Sequence, residues 1–131
     1  HLDKGTHLKL NPNFNGMTVN GYGQVYFGNN FHSGTDCLII TTNHNYDKGK
    51  TIPYDDQDIN KNVTIGDNVW FGDRVIVLPG VEIGEGAIIQ AGAVVVSNIP
   101  AGGIAGGNPA KVFKFRDMDH YNELKNKNMV F

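Results

Sequence analysis

Histidines are the side chains of this chain best suited to proton chemistry, because an imidazole changes charge near neutral pH, and one of the five stands apart by position. His44 opens a polar segment, residues 44–62, that contains Gly49 and Pro53 and interrupts an otherwise regular pattern. Insertions in repeat architectures map to loops on one face and often carry the binding site. A histidine at the base of such an insertion is therefore a candidate for chemistry, with an ordinary loop histidine as the alternative. His32 lies off the inward register described next and can face a groove or solvent, while His1, His7 and His120 fall outside the regular coils and are assigned nothing. The lone Cys37 has no internal disulfide partner and falls where a small apolar residue is wanted, so it reads as a core filler before a nucleophile or ligand.

The elements that must position His44 are set by a six-residue beat. Apolar residues recur at Val63, Val69, Val75, Val81, Ala87, Ala93 and Ile99, with a second register two positions later at Ile65, Phe71, Val77, Ile83, Ile89 and Val95. Residues two apart share a face only in an extended strand, and Gly66-Asp67-Asn68, Gly72-Asp73-Arg74 and Gly84-Glu85-Gly86 supply corners between the short strands. Such a period is the signature of a parallel β-helix, whose units bury their apolar pairs against the coils above and below. The beat returns in a different phase at Val25/Phe27, Phe31/Ser33 and Cys37/Ile39, so extra residues must leave the coil after Asn43. The expected organisation is one domain over residues 1–131, with coils at about 19–43 and 63–105, a loop at 44–62 and a C-terminal segment at 106–131. In that segment Met118, Tyr121 and Leu124 sit at helical spacing behind Asp117 as N-cap, and the short helix is expected to close the open end of the solenoid. Residues before about 19 carry no assignable pattern beyond a turn at Asn11-Pro12-Asn13.

Composition narrows the function classes. The 17 glycines, separated by valines, read as corners and not as linkers, and a net charge of −2 offers no basic field for nucleic acid or an anionic membrane. No apolar run approaches the roughly 18 residues of a membrane span, and no export signal is visible, which makes the cytoplasm the default expectation.

Three stretches carry a resemblance: Val63-Thr64-Ile65-Gly66-Asp67-Asn68-Val69-Trp70-Phe71-Gly72, the Thr41-Thr42-Asn43-His44 before the protruding loop, and Gly106-Gly107-Asn108-Pro109-Ala110-Lys111. Together they resemble the hexapeptide-repeat acyltransferases, and within them the acetyl-CoA-dependent O-acetyltransferases of sugars, polysaccharides and xenobiotics. The likeness runs from about Val19 to Arg116. It implies an all-β fold, a left-handed parallel β-helix with a protruding loop and a short C-terminal helix, an exception to the usual right-handed crossover. It also implies a homotrimer with active sites between subunits, acetyl-CoA as cosubstrate, no metal, and a sugar or surface-polysaccharide precursor as acceptor.

Carried over residue by residue, the resemblance implies His44 as general base, since a sugar hydroxyl attacks well only as an imidazole takes its proton. For the cofactor it implies Trp70, Gly72 and Asp73 near the pantetheine arm, Ala91 and Gly92 one coil on, Ser97 and Asn98 near the pyrophosphate or adenine, and Lys111 and Lys114 at the 3′-phosphate. Asn98 stands where many members carry Lys, which removes one phosphate contact. Coil-edge packing for Trp70 and a solvated face for the two lysines are the alternatives. Acceptor-side candidates are Asn13, Asn15, Tyr26, Asp36 and Asn43, which supply the amides, carboxylate and aromatic platform that a carbohydrate site uses. Competing readings are N-acetylation of a nucleotide-linked amino sugar, acetylation of an antibiotic, a zinc carbonic anhydrase of the same fold, whose close pair of histidines has no counterpart here, and a noncatalytic solenoid, whose regular surface arrays of the repeated Thr-x-Thr kind are missing from the corners.

Overall fold

The computed structural model describes residues 5–131. Three sheets of parallel strands form the walls of a left-handed β-helix, triangular in section. The first wall holds Thr6–His7, Val25–Phe27, Val63–Ile65 and Glu82–Ile83, the second His32–Ser33, Trp70–Phe71, Ile88–Ile89 and Gly103–Gly106, and the third Thr18–Asn20, Leu38–Ile40, Ile76–Val77 and Val94–Val95. Thr64 pairs with Glu82, Trp70 with Ile88 and Ile76 with Val94, so three six-residue units make one turn.

All thirteen positions of the two apolar registers from Val63 to Ile99 are buried. So are Val25, Phe27, Phe31, Ser33, Cys37 and Ile39 in the earlier phase, which makes Cys37 the core filler its position suggested. Burial pushes the Cys37 thiol pKa up. An aromatic column runs through the early coils, with Phe27 against Phe31 at 4.7 Å and Phe31 edge-on to Phe71 at 5.0 Å.

The stretch before Val19, which has no six-residue beat, forms a further stacked coil. Thr6 pairs with Val25, Asn13 bridges to His32 and Thr18 pairs with Leu38. These steps are 19 or 20 residues long, and the slack, taken up at the corners, hides the period. Met17 and Val19 are nonetheless buried.

At the edge between the first and second walls the corner residues Asn11, Asn30 and Asn68 have φ of 56°, 55° and 58°, a conformation that asparagine tolerates. Their side chains form a ladder: Asn11 Nδ2 donates to Asn30 Oδ1 at 2.9 Å and Asn30 Nδ2 to Asn68 Oδ1 at 3.0 Å.

The helix spans Met118–Asn126, capped by Asp117, whose side chain accepts the His120 N–H at 3.1 Å. Contrary to the expectation from sequence, it does not close the end of the solenoid. The last coil is flanked by Lys111–Phe115, antiparallel to Gly103–Gly106, and the helix folds back along the first–second edge. That edge attracts it because Gly86 and Gly102 carry no side chains: the Tyr121 ring seats over Gly86 and Met118 over Gly102. Arg116 Nε donates to Gly86 O, and Tyr121 OH and Lys125 Nζ both donate to Glu85 Oε2 at 2.9 Å. The Lys125 hydrogen bond, helped by that of Tyr121, holds the Glu85 carboxyl below its usual range against the opposing effect of burial. Farther on, the Phe131 carbonyl accepts from Asn11 Nδ2 at 3.0 Å, so the return segment reaches from the last coil to the first. Among the described residues no helix is long and apolar enough to cross a membrane.

Candidate functional site

The excursion leaves at the edge between the third and first walls, where Val25 and Val63 pair although 38 residues separate them. It is a hairpin and not simply a loop. Thr42–His44 pairs antiparallel with Asp58–Asn60, setting Asn43 opposite Ile59 and His44 opposite Asp58. The buried Thr41 anchors its base, with Oγ1 donating to Asn20 O at 3.2 Å and accepting the Gly23 N–H at 3.1 Å. Asp55 organises its head: Oδ1 accepts the Gln57 N–H at 2.9 Å, and Oδ2 accepts from Asn45 Nδ2 at 2.9 Å and the Lys50 N–H at 3.2 Å. These bonds, Gln57 first, hold the Asp55 carboxyl below its usual range.

This scaffold fixes His44 on two sides. The ring stacks on Tyr54 with centroids 4.0 Å apart and planes 8° apart, and Nδ1 lies 3.6 Å from Asp58 Oδ1. The His44 side chain is still 56% exposed, so the ring is oriented yet open to solution. Asp58 and Tyr54 were not singled out in the sequence: Asp58 is placed by the pairing of two polar stems and Tyr54 by the loop between them, and periodicity registers neither.

The other expected site residues divide among separate parts of one chain. Asn43 and His44 share the third–first edge with Ser97 and Asn98, two coils higher, roughly 10 Å along the axis at about 4.8 Å per strand. Asn98 Oδ1 is engaged by the Glu82 N–H at 2.8 Å. Asn15, Asp36, Gly72, Asp73, Ala91 and Gly92 line up along the opposite, second–third edge. There Asn15 Nδ2 donates to Ser33 O at 2.8 Å, and Asp73 Oδ1 accepts the Thr35 N–H at 2.8 Å, a bond that stitches adjacent coils. A side chain at Gly72 would collide with the Ala91 backbone, whereas at Gly92, with φ of 75°, the added carbon would meet nothing within 4 Å. The second wall carries Asn13, Trp70 and Lys114 on its outer side, with Lys111 at the start of the last strand; Trp70 is 53% exposed. Tyr26 stands on the first wall, its ring stacked on His7 at 4.7 Å.

A cavity of about 450 Å³ lies between the second wall and the return segment, walled in part by His32, Trp70, His120, Tyr121 and Leu124. Of the expected site residues only Trp70 lines it. His32 Nε2 lies 3.2 Å from the Phe131 carbonyl. Among the described residues no three His, Cys, Asp or Glu side chains cluster as a metal site would require.

Residues 62–97 match the family model described as bacterial transferase hexapeptide (six repeats). The Saccharomyces cerevisiae protein named "Putative acetyltransferase YJL218W" is 33% identical over 117 residues, covering 87% of this chain and 59% of the yeast protein. Among solved structures, a galactoside acetyltransferase in complex with coenzyme A superposes with a TM-score of 0.76 at 30% identity, covering 89% of this chain and 58% of that one. A maltose O-acetyltransferase from Clostridium difficile 630 superposes with a TM-score of 0.62 at 30% identity, covering 86% of this chain and 70% of that one. The chain belongs to the hexapeptide-repeat acyltransferases. It spans between one third and three fifths of the length of the first curated relatives it matches.

Proposed function

We propose that this chain is the β-helix portion of an acetyl-CoA-dependent O-acetyltransferase acting on a hydroxyl of a sugar or surface-polysaccharide precursor, with His44 as general base. One observation carries the reading: a solvent-open imidazole, stacked on Tyr54 and paired with Asp58, held at the edge of a hexapeptide coil. In the proposed reaction His44 Nε2 takes the acceptor hydroxyl proton as the oxygen bonds to the thioester carbonyl carbon. The tetrahedral oxyanion then collapses, the carbon–sulfur bond breaks, and the imidazolium returns its proton to the departing thiolate. The likeness to a galactoside acetyltransferase solved with coenzyme A and to a maltose O-acetyltransferase supports both donor and acceptor class. The reading includes a cytoplasmic reaction, a compartment in which acetyl-CoA is present.

In this reading the open backbone at Gly92, with Gly72, Asp73 and Ala91, borders the pantetheine arm beside Trp70. Ser97 and Asn98 approach the nucleotide end, and Lys111 and Lys114 supply cations for the 3′-phosphate. Asn13, Asn15, Tyr26, Asp36 and Asn43 are the acceptor-side candidates.

A homotrimer accounts for two features together. The outer side of the third wall presents half-buried Leu38, Ile40, Ile76, Leu78 and Val94 with Val96, an apolar sheet face of the kind that proteins cover. The edge bearing His44 and the edge bearing Gly92 lie apart in one chain, and a closed ring of prisms brings one edge of each copy to the other edge of its neighbour. The test is His44→Ala, expected to lower turnover about 10²–10⁴-fold while calorimetric coenzyme A affinity stays nearly intact. Near-normal turnover would overturn the assignment of the base. A thiol-release assay over a panel of sugars identifies the acceptor.

A further inference from the structure

We infer that Asp58, on the return strand of the excursion, is a positioning residue that holds His44 with its proton on Nδ1 and presents Nε2 as the base. The inference rests on the reading of His44 as base and assigns a task to the far arm of the hairpin.

Three observations carry it. The antiparallel register sets His44 directly opposite Asp58, so their side chains leave the same face of the hairpin as a cross-strand pair. The contact is made by Nδ1, which lies 3.6 Å from Asp58 Oδ1, and a carboxylate accepts only, so it favours the tautomer with hydrogen on that nitrogen. The Tyr54 ring lies flat against the imidazole at 4.0 Å and restricts its plane, leaving the half-turn about Cβ–Cγ that exchanges Nδ1 with Cδ2 as the freedom that Asp58 limits. At 3.6 Å the contact is longer than a hydrogen bond and becomes an ion pair only once the ring is protonated, and catalytic contacts of this kind commonly tighten when substrate binds. Among the described residues, Asp58 and Tyr54 are the titratable side chains that pack on the His44 ring.

The consequence is specific to the transition state. As Nε2 takes the acceptor proton the ring becomes cationic, and the carboxylate beside Nδ1 then faces a full positive charge. Removing it should therefore lower kcat and leave KM for both substrates in place. Because the pair is solvent-exposed, the effect is far smaller than for a buried dyad, about 10-fold, equivalent to about 1.4 kcal/mol.

The experiment compares wild type, Asp58→Ala, Asp58→Asn and His44→Ala in the full chain. Steady-state kinetics are measured beside long-range ¹H–¹⁵N spectra that report which ring nitrogen of His44 bears hydrogen in the neutral form. Support requires a predominantly Nδ1–H ring in wild type, a shift toward Nε2–H in Asp58→Ala, and a kcat loss near 10-fold with each KM within about twofold. Asp58→Asn, nearly isosteric, keeps the measurement available if the alanine variant fails to fold, and it should share the kcat loss. An unchanged tautomer or an unchanged kcat in a folded Asp58 variant overturns the inference while His44→Ala remains inactive. An active His44→Ala overturns the reading of the base itself, and the inference with it.

Discussion

Gly92 and Gly102 are chemically identical corner residues for which opposite consequences follow from their surroundings. Both hold positive φ, 75° and 70°, so alanine at either costs about 1 kcal/mol for the left-handed backbone. At Gly92 the new methyl meets nothing within 4 Å, and the stability cost should end there. At Gly102 it runs into Met118 Sδ, and the helix must give up the seat of a half-buried methionine. Complete burial of such a side chain is worth roughly 1.5–3 kcal/mol, so losing part of it adds about 1 kcal/mol, and Gly102→Ala should cost about 2 kcal/mol in all. Catalysis should show the reverse order. A methyl at Gly92 projects into the space assigned to the pantetheine arm and should raise KM for acetyl-CoA about 10-fold, whereas Gly102→Ala should leave it unchanged. Urea unfolding at one fixed protein concentration, with a common m-value, reads the first quantity and thiol release the second. In a Met118→Ala background the Gly102→Ala cost should fall to that of Gly92→Ala. Equal destabilisation by the two alanines would refute the Met118 seat, and an unchanged acetyl-CoA KM for Gly92→Ala would remove that corner from the cofactor groove.

Replacing Lys111 or Lys114 by Ala should weaken coenzyme A by about 1–2 kcal/mol more than 3′-dephospho-coenzyme A, as calorimetry with both ligands would show; equal weakening would take that lysine out of the site. Ile76→Asp, which introduces a charge into the apolar outer rows of the third wall, should convert a trimer to monomers by light scattering, and a wild type that is monomeric and fully active would refute the shared-site arrangement. The Asp55 carboxyl is held below its usual range, so its contribution to the hairpin head is complete above the ordinary carboxylate range and is lost as pH falls through the lowered folded-state value. The Gln57 and Lys50 amide resonances should accordingly titrate together at a pH below that range, and an inflection within or above it would contradict the assignment.

The walls of the prism were legible because period two within a strand and period six along the chain are imposed by the same burial, and every inward position from Val63 to Ile99 obeys both. The helical cap at Asp117 was legible for a similar reason: an oxygen-bearing side chain just before an apolar-spaced run satisfies an amide that has no partner within the helix. The N-terminal coil escaped notice since corners of variable length break the beat while Met17 and Val19 still turn inward. The hairpin stems escaped it because Thr42, Asn43 and Asp58 bury nothing and leave no hydrophobic trace. The docking of the helix depends on what is missing, the side chains of Gly86 and Gly102, and an absence at one place in the chain does not announce which distant ring will fill it. His44 was legible by position; its Tyr54 and Asp58 partners were not, since only the folded register brings residues from the two arms face to face.

The return segment changes how such a stack can come apart. A free solenoid loses its terminal turns one at a time, because each rests on a single neighbour. Here the polypeptide that leaves the last coil runs back over Gly102, Gly86 and Asn68 to Asn11 in the first, much as a binding cord holds the boards of a book. Peeling either end requires releasing a segment that also clasps the other, so the two ends share one fate and unravelling gives way to a single concerted opening. The two edges that, in the proposed trimer, present His44 and the Gly92 backbone to neighbouring copies benefit from that arrangement, since partial fraying would displace them long before the core dissolved.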